Sequence, residues 1–450
     1  MRSTARVGLV LFALVVSSSA ARADDAALHW NRIAVETLTT QSPGLSPFHQ
    51  ARFAAVIQLA VFEAVNAITG DYEPYLGSPV APTATPVNAP FGASAEAAAV
   101  AAAHAVLVKY FPGNAPGPTG LDAKRDASLA AIPDGPGTSE ADGVAVGIAA
   151  ATKVTDERVG DGSSPSTFYT PAPPQNGVWA TTPAPACPTD PSGNFLGGIL
   201  LNWRDVRPFG VVQPAVGHWS EPFRPAPPPA LTSNQYAKDY NEVKVKGALV
   251  SAERSDDSAT VARFYGALSP TFLFHTAARQ LAEARGDSLA ENARNLALIS
   301  IATNDSLIAS FATKYYYDFW RPVTAIRAGA TTPDGNSKTE GDINFATFLA
   351  TPCFPSYPSN HASGSNGAAE TMRRIYGAAG HAITLSATIP VIGATTLNYS
   401  SLNQITNDVD DARIYGGMHY RFDQEAGVRL GRDVATYVYK NNLQPVHGSN

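Results

Sequence analysis

The chain has 450 residues, with 32 Lys and Arg against 38 Asp and Glu, a formal net charge of −6, and 44% hydrophobic against 16% charged residues. That acidic balance argues against a nucleic-acid binder and against a polybasic membrane-surface protein. The apolar share suits a folded enzyme with a large core, and only two cysteines, Cys187 and Cys353, exclude a disulfide framework while leaving room for one accessory bridge.

The first 23 residues read as a signal peptide. Arg2 and Arg6 precede an apolar run from Val7 to Val16, followed by Ser17 to Ser19 and the small-residue pattern Ala21, Arg22, Ala23. This leader holds three arginines and no acid, so cleavage after Ala23 leaves a net charge of −9 on an exported protein, periplasmic or secreted. No later run reaches the ~18 apolar residues of a spanning helix. The longest, Leu296 to Ala312, is interrupted by Asn304 and Asp305. No integral membrane segment is expected after processing.

Residues 24–159 read as a helical part. Phe53, Val56, Ile57, Ala60, Val61, Ala64, Val65 and Ile68 share one helix face. The Ala-rich stretch from Ala93 to Tyr110 forms a second helix, and Ser139 caps a third that runs to about Asp156. Residues 160–230 form a Pro-rich irregular segment. Trp179, Phe195, Trp203, Phe209, Trp219 and Phe223 are spread through it, which predicts a surface wrap rather than a solvated linker.

Residues 231–450 return to helix, from Ser233 through Arg263, Thr271 to Arg285, Asn292 to about Trp320, Ala362 to Tyr376 and Tyr420 to Lys440; the best strand signal is Ile389 to Leu397. The expected class is mostly α, one integrated domain over 24–450.

The sequence holds no HExxH pair, CxxC, GxSxG elbow, phosphate loop or GxGxxG after a strand. Three short blocks remain. In the first, Lys314 and Arg321 stand seven residues apart, which on a helix is two turns on one face, ~10 Å along the axis. Two cations so placed converge on an anion or, blandly, face solvent. In the second, Pro355 and Pro358 exclude helix and small residues follow His361. Ser359 and Asn360 therefore open a helix whose free N–H groups attract an anion, with His361 placed to move a proton; the plain alternative is a helix cap beside a packed histidine. In the third, Gly416 and Gly417 break the chain so that His419 swings in beside Arg413. There it serves as a metal-type ligand or a nucleophile, or simply packs in a glycine turn.

Together the blocks resemble the signature of the vanadium-dependent haloperoxidases and type 2 phosphatidic acid phosphatases: Lys-x6-Arg-Pro, Pro-Ser-Gly-His and Ser-Arg-x5-His. Here they are Lys314 to Pro322, Pro358 to His361 and Ala412 to His419, with Asn360 for the glycine and Ala412 for the serine. The helix around Phe62 to Ile68 looks like that of bacterial haloperoxidase-type members.

The resemblance implies a large helical bundle holding vanadate. Lys314, Arg321 and Arg413 neutralise its oxygens, Ser359 and the Asn360 N–H hydrogen-bond it, His419 is the axial metal ligand and His361 the acid–base partner. Phe354 would stand beside the halide, and Asp318 and Asp423 are the expected supporting carboxylates. The implied partners are hydrogen peroxide, a halide and a small organic acceptor. The alternatives are a periplasmic acid phosphatase that cleaves a phosphomonoester through phosphohistidine, and a non-catalytic oxyanion-binding scaffold. The aromatic residues Phe319 and Trp320 before Arg321, and the run His419 to Asp423, resemble the peroxidase branch.

Overall fold

The computed structural model describes residues 25–42, 44–132, 139–182 and 187–446, so the leader lies outside the described residues. Five helices come first: α1 (Ala26–Thr39), α2 (Pro47–Thr69), α3 (Ala95–Tyr110), α4 (Leu121–Ala130) and α5 (Glu140–Glu157). After the irregular segment follow α6 (Asn234–Lys246), α7 (Asp256–Ala267), α8 (Pro270–Arg285), α9 (Leu289–Tyr317), α10 (Pro322–Ala328) and α11 (Asn360–Tyr376). A hairpin of β1 (Ala379–Ile389) and β2 (Gly393–Ser401) leads into α12 (Leu402–Tyr415) and α13 (Arg421–Asn441).

Serine starts many of these helices. Ser46, Ser94, Ser139, Ser233, Ser255, Ser269, Ser288, Ser359 and Ser401 each cap one by accepting from a free backbone N–H.

The organising element is α9, which packs against α2, α11 and α13. Its polar residues Asn304, Asp305, Ser310, Thr313 and Lys314 are as buried as its apolar ones. Thr303 and Thr313 return their hydroxyls to the carbonyls one turn back. Asp305 instead accepts from the Phe209 N–H (2.8 Å) and the Gly210 N–H (2.7 Å), which pins the irregular segment to the core. Of the two residues that interrupt the apolar run, Asp305 is therefore there for the wrap. Both α2 and α9 are in fact long and apolar enough to cross a membrane, but 83% and 100% of their apolar windows are buried inside the fold.

Several expectations change on contact with the structure. The irregular segment does not merely lie on the surface. Trp179, Trp203, Phe209 and Trp219 enter the core, and only Phe195 of its expected anchors is exposed. Cys187 and Cys353 form a disulfide that ties the segment to the chain just before Phe354. The helix expected from Ser233 to Arg263 is two helices. Gly247 ends the first, and the Arg254 guanidinium gathers the carbonyls of Lys246, Ala248 and Leu249 in the break.

The strand expected over Ile389 to Leu397 spans a turn, because Pro390 lacks an N–H and Ile389 pairs with Gly393. The helix expected to reach Trp320 stops at Tyr317, where Asp318 takes a left-handed conformation (φ 49°).

Removing the Asp305 carboxylate leaves two buried N–H groups without an acceptor. Asp305→Ala should cost about 2–5 kcal/mol in chemical denaturation, and a loss below about 0.5 kcal/mol would contradict the anchoring role.

Candidate active site

The three blocks meet. Lys314 comes from the last turn of α9, Arg321 from the N-cap of α10, Ser359 to His361 from the start of α11, Arg413 from the last turn of α12, and His419 from the turn before α13. Lys314 and Arg321 do not share a helix face, as their spacing suggested. Pro322 disfavours helical angles at the residue before it, so Arg321 is extended (φ −81°, ψ 154°) and the chain turns between the two cations. The glycine break proposed for Gly416 and Gly417 is present. Gly417 lies at φ +80°, and a Cβ there would sit 2.4 Å from the Gly247 carbonyl oxygen. A second close approach sets α13 on α11: a Cβ on Gly431 would stand 2.2 Å from the Ser363 carbonyl oxygen.

His419 is buried and held at both ring nitrogens. Nδ1 faces Asp423 Oδ2 at 2.8 Å, and Nε2 faces Arg321 Nη1 at 3.0 Å. A carboxylate accepts and a guanidinium donates, so the network assigns the proton to Nδ1 and the lone pair to Nε2. Burial first, then the charges of Arg321, Lys314 and Arg413, hold this imidazole well below its ordinary pKa, and hence neutral. Asp423 Oδ2 also accepts from the Ser356 hydroxyl (2.6 Å) and the Tyr420 N–H (3.1 Å), while burial pushes its carboxyl up to about 6. Asp423 is thus the supporting carboxylate. Asp318, the other expected one, accepts from the Tyr169 hydroxyl (2.9 Å) and serves the wrap.

The cations are placed differently from one another. Lys314, fully buried, donates to the carbonyls of Pro355 (2.9 Å), Ser356 (2.7 Å) and Pro358, so its three N–H groups shape the 355–358 loop. It adds charge to the site but no open donor. Arg321 donates Nε to the Phe354 carbonyl and Nη1 to the Met418 carbonyl, both at 2.9 Å, leaving Nη2 buried without a partner. Arg413 reaches only the Met418 sulfur, at 3.0 Å from Nη2; its Nε and Nη1 are buried and unpartnered. Burial lowers Arg321 to about 10 and, with Arg321 nearby, Arg413 to about 9.

Ser359 is a genuine cap, accepting from the Ala362 N–H at 3.4 Å. Asn360 accepts from the Ser310 hydroxyl (2.7 Å) and leaves its Nδ2 buried and unpartnered. Ala412 packs in the apolar cluster with Tyr265, Leu402 and Val409, so its departure from the pattern leaves the chamber wall untouched.

Asn360, His361, Arg413 and His419 line a chamber of about 230 Å³ together with Phe48, Leu307 and Phe354. The Phe354 ring lies 5.0 Å from the Arg321 guanidinium and 5.3 Å from the Lys314 ammonium. Ser356, Met418 and Phe48 were not singled out from the sequence. The Pro355–Ser356–Tyr357–Pro358 run was the available signal for the first, whereas Phe48 comes from a distant helix.

Residues 294–448 match the family described as the VCPO second helical-bundle domain. Over 96 residues the chain is 31% identical to vanadium chloroperoxidase of Curvularia inaequalis, a stretch that makes up 19% of this chain and only 15% of that relative. The whole structure resembles a bacterial vanadium-dependent iodoperoxidase (TM-score 0.71, 22% identity, 94% of this chain and 97% of that one). It also resembles the apo form of a bacterial vanadium-dependent chloroperoxidase (TM-score 0.68, 16% identity, 91% of this chain and 96% of that one).

This is the vanadium-haloperoxidase fold.

Within that vanadium-haloperoxidase fold, the donor set fits a tetraoxo anion. Three guanidinium nitrogens and one amide nitrogen are buried without acceptors around an imidazole lone pair. Buried donors left unpaired are costly, and an oxyanion supplies the missing acceptors.

Two outcomes follow. Arg413→Ala should weaken phosphate or vanadate binding by about 2–5 kcal/mol in calorimetry, since it removes charge-assisted donors from a desolvated site. Burial and the cations Arg413, Lys314 and Arg321 also hold the His361 imidazole well below its ordinary value. An entering anion offsets those charges and raises it. Binding should therefore take up a proton, with affinity full at low pH and falling as pH rises through the bound-state value. Titrations in buffers of different ionisation heat measure that uptake; zero uptake across the range would contradict it.

Proposed function

We propose that the protein is a vanadate-dependent haloperoxidase, using hydrogen peroxide to oxidise a halide to hypohalous acid. The observation that carries the reading is the His419 Nε2 lone pair, set near the unpartnered N–H groups of Arg321 and Arg413 beside a chamber of about 230 Å³. Vanadate, when bound, supplies a Lewis-acid centre that activates peroxide toward halide attack.

The chain's own residues do the rest. His419 offers Nε2 as the metal ligand, with Asp423 keeping the proton on Nδ1. Arg321 Nη2 and Arg413 Nε and Nη1 donate to anionic oxygens, as do the first N–H groups of α11 and the Asn360 amide. Lys314 contributes positive charge from behind the 355–358 loop. His361, at the chamber wall, accepts a peroxide proton on its imidazole and returns one to the departing oxygen. Halide oxidation consumes one proton: peroxide, halide and H⁺ become hypohalous acid and water. Phe354, flat against two cations, borders the space where a soft anion would rest. The leader-like start and the Cys187–Cys353 disulfide support an exported enzyme, since oxidising compartments maintain such bonds.

The test is to add orthovanadate to the purified protein and follow monochlorodimedone halogenation with peroxide and bromide. Turnover is expected. Cleavage of p-nitrophenyl phosphate without halogenation would replace this reading with the phosphatase one, and silence in both would favour a scaffold. His419→Ala should abolish tight vanadate binding, whereas His361→Ala should retain binding and lose turnover by about 10²–10⁴-fold.

A further inference from the structure

The chamber opens into a far larger groove of about 990 Å³, and the two share Pro47, Pro352, His361 and Arg413 as walls. Halide and peroxide need little more room than a water molecule, whose share of the liquid is about 30 Å³. The groove instead matches the ~300–1,000 Å³ of sites that take whole organic ligands. Its apolar lining includes Leu268, Phe272, Leu349, Pro352, Ile389 and Val391. The last two come from the tip of the β1–β2 hairpin. There Val391 is exposed and held at φ +77°, a costly backbone angle for a β-branched residue.

The charge on the groove is one-sided. Among the described residues no Asp or Glu lines it, although the chain is acidic as a whole. Besides Arg413, which belongs to the chamber, its cation is Arg263 on α7. That guanidinium stacks 4.5 Å from the Phe348 ring and pairs with no carboxylate among the described residues. Apolar side chains and a guanidinium without a carboxylate partner line one groove that shares walls with the chamber, which suits a molecule having an aromatic body and an anionic group.

We propose that this groove binds the organic acceptor and selects small aromatic carboxylates, with Arg263 holding the carboxylate and the ring lying toward His361 and Arg413. The inference rests on the peroxidase reading of the chamber. In the step it serves, a ring carbon takes the halogen from hypohalous acid. The carbon–halogen bond forms, the oxygen–halogen and carbon–hydrogen bonds break, and the displaced proton leaves with the hydroxide as water.

The probes are salicylate and salicylamide, two phenols that differ in the charge of one substituent. Binding is measured by calorimetry on the full protein without vanadate, so that it is read apart from turnover. Salicylate should bind saturably and at least about tenfold more tightly than salicylamide. Arg263→Ala should bring the ratio near one, and Arg263→Lys should restore part of it. Equal affinities in the unaltered protein, or a preference that survives Arg263→Ala, would overturn the proposal. Oxidation of iodide to triiodide by the unaltered protein with vanadate and peroxide, and no organic molecule, reads the chamber separately. Silence there withdraws the acceptor role, while the binding ratio still decides whether the groove selects anions.

Discussion

Three cations, Lys314, Arg321 and Arg413, are buried around one chamber, and a single carboxylate, Asp423, stands among them. Burying charge without partners is expensive, so the surrounding fold is arranged to make it tolerable. Lys314 is wrapped in three carbonyls of a proline-rich loop, Arg321 in two carbonyls and an aromatic face, and Arg413 touches only a thioether. The degree of satisfaction falls in that order, and the least satisfied group lines the chamber. The positive field left over is what an oxyanion would relieve. Burial and that field together keep both histidines neutral, so that the His419 Nε2 carries a lone pair, onto which Arg321 Nη1 donates, rather than a proton.

The scaffold holds that arrangement with rigid parts. α9 carries Lys314 at its end and the Asp305 anchor for the wrap about two and a half turns earlier, so the same helix fixes the site and the segment bound to it. α11 and α13 approach closely enough at Gly431 that a methyl group would meet a carbonyl oxygen. That contact keeps Ser359, at one helix start, against Asp423, at the other: the Ser359 N–H donates to the Asp423 carbonyl at 2.9 Å.

Much of this was legible in the chain because the signals are local. Prolines at 355 and 358, with a serine after them, define a helix start without any tertiary information. Gly416 and Gly417 mark a break. What could not be read depends on distant partners. No spacing reveals that the Lys314 N–H groups are spent on carbonyls or that Trp179 and Trp203 enter the core. Nor does any spacing bring Arg263, from α7, to a groove shared with the hairpin tip. One local signal was present and was outweighed by spacing: Pro322 disfavours, at Arg321, the helical angles that a shared face for Lys314 and Arg321 would need. Asp318 looked like a partner for Arg321 because the two are close in sequence, but the left-handed turn at Asp318 sends its side chain to Tyr169 instead.

The chain is frugal with sulfur. Its two cysteines are joined to each other, and the two methionines among the described residues, Met372 and Met418, are buried. Among the described residues, therefore, a diffusing oxidant meets no thiol, and the one thioether near its path is Met418, which lines the groove with its sulfur against the Arg413 guanidinium. Oxidation of sulfur in the described part of the chain would accordingly begin at that one groove-wall methionine.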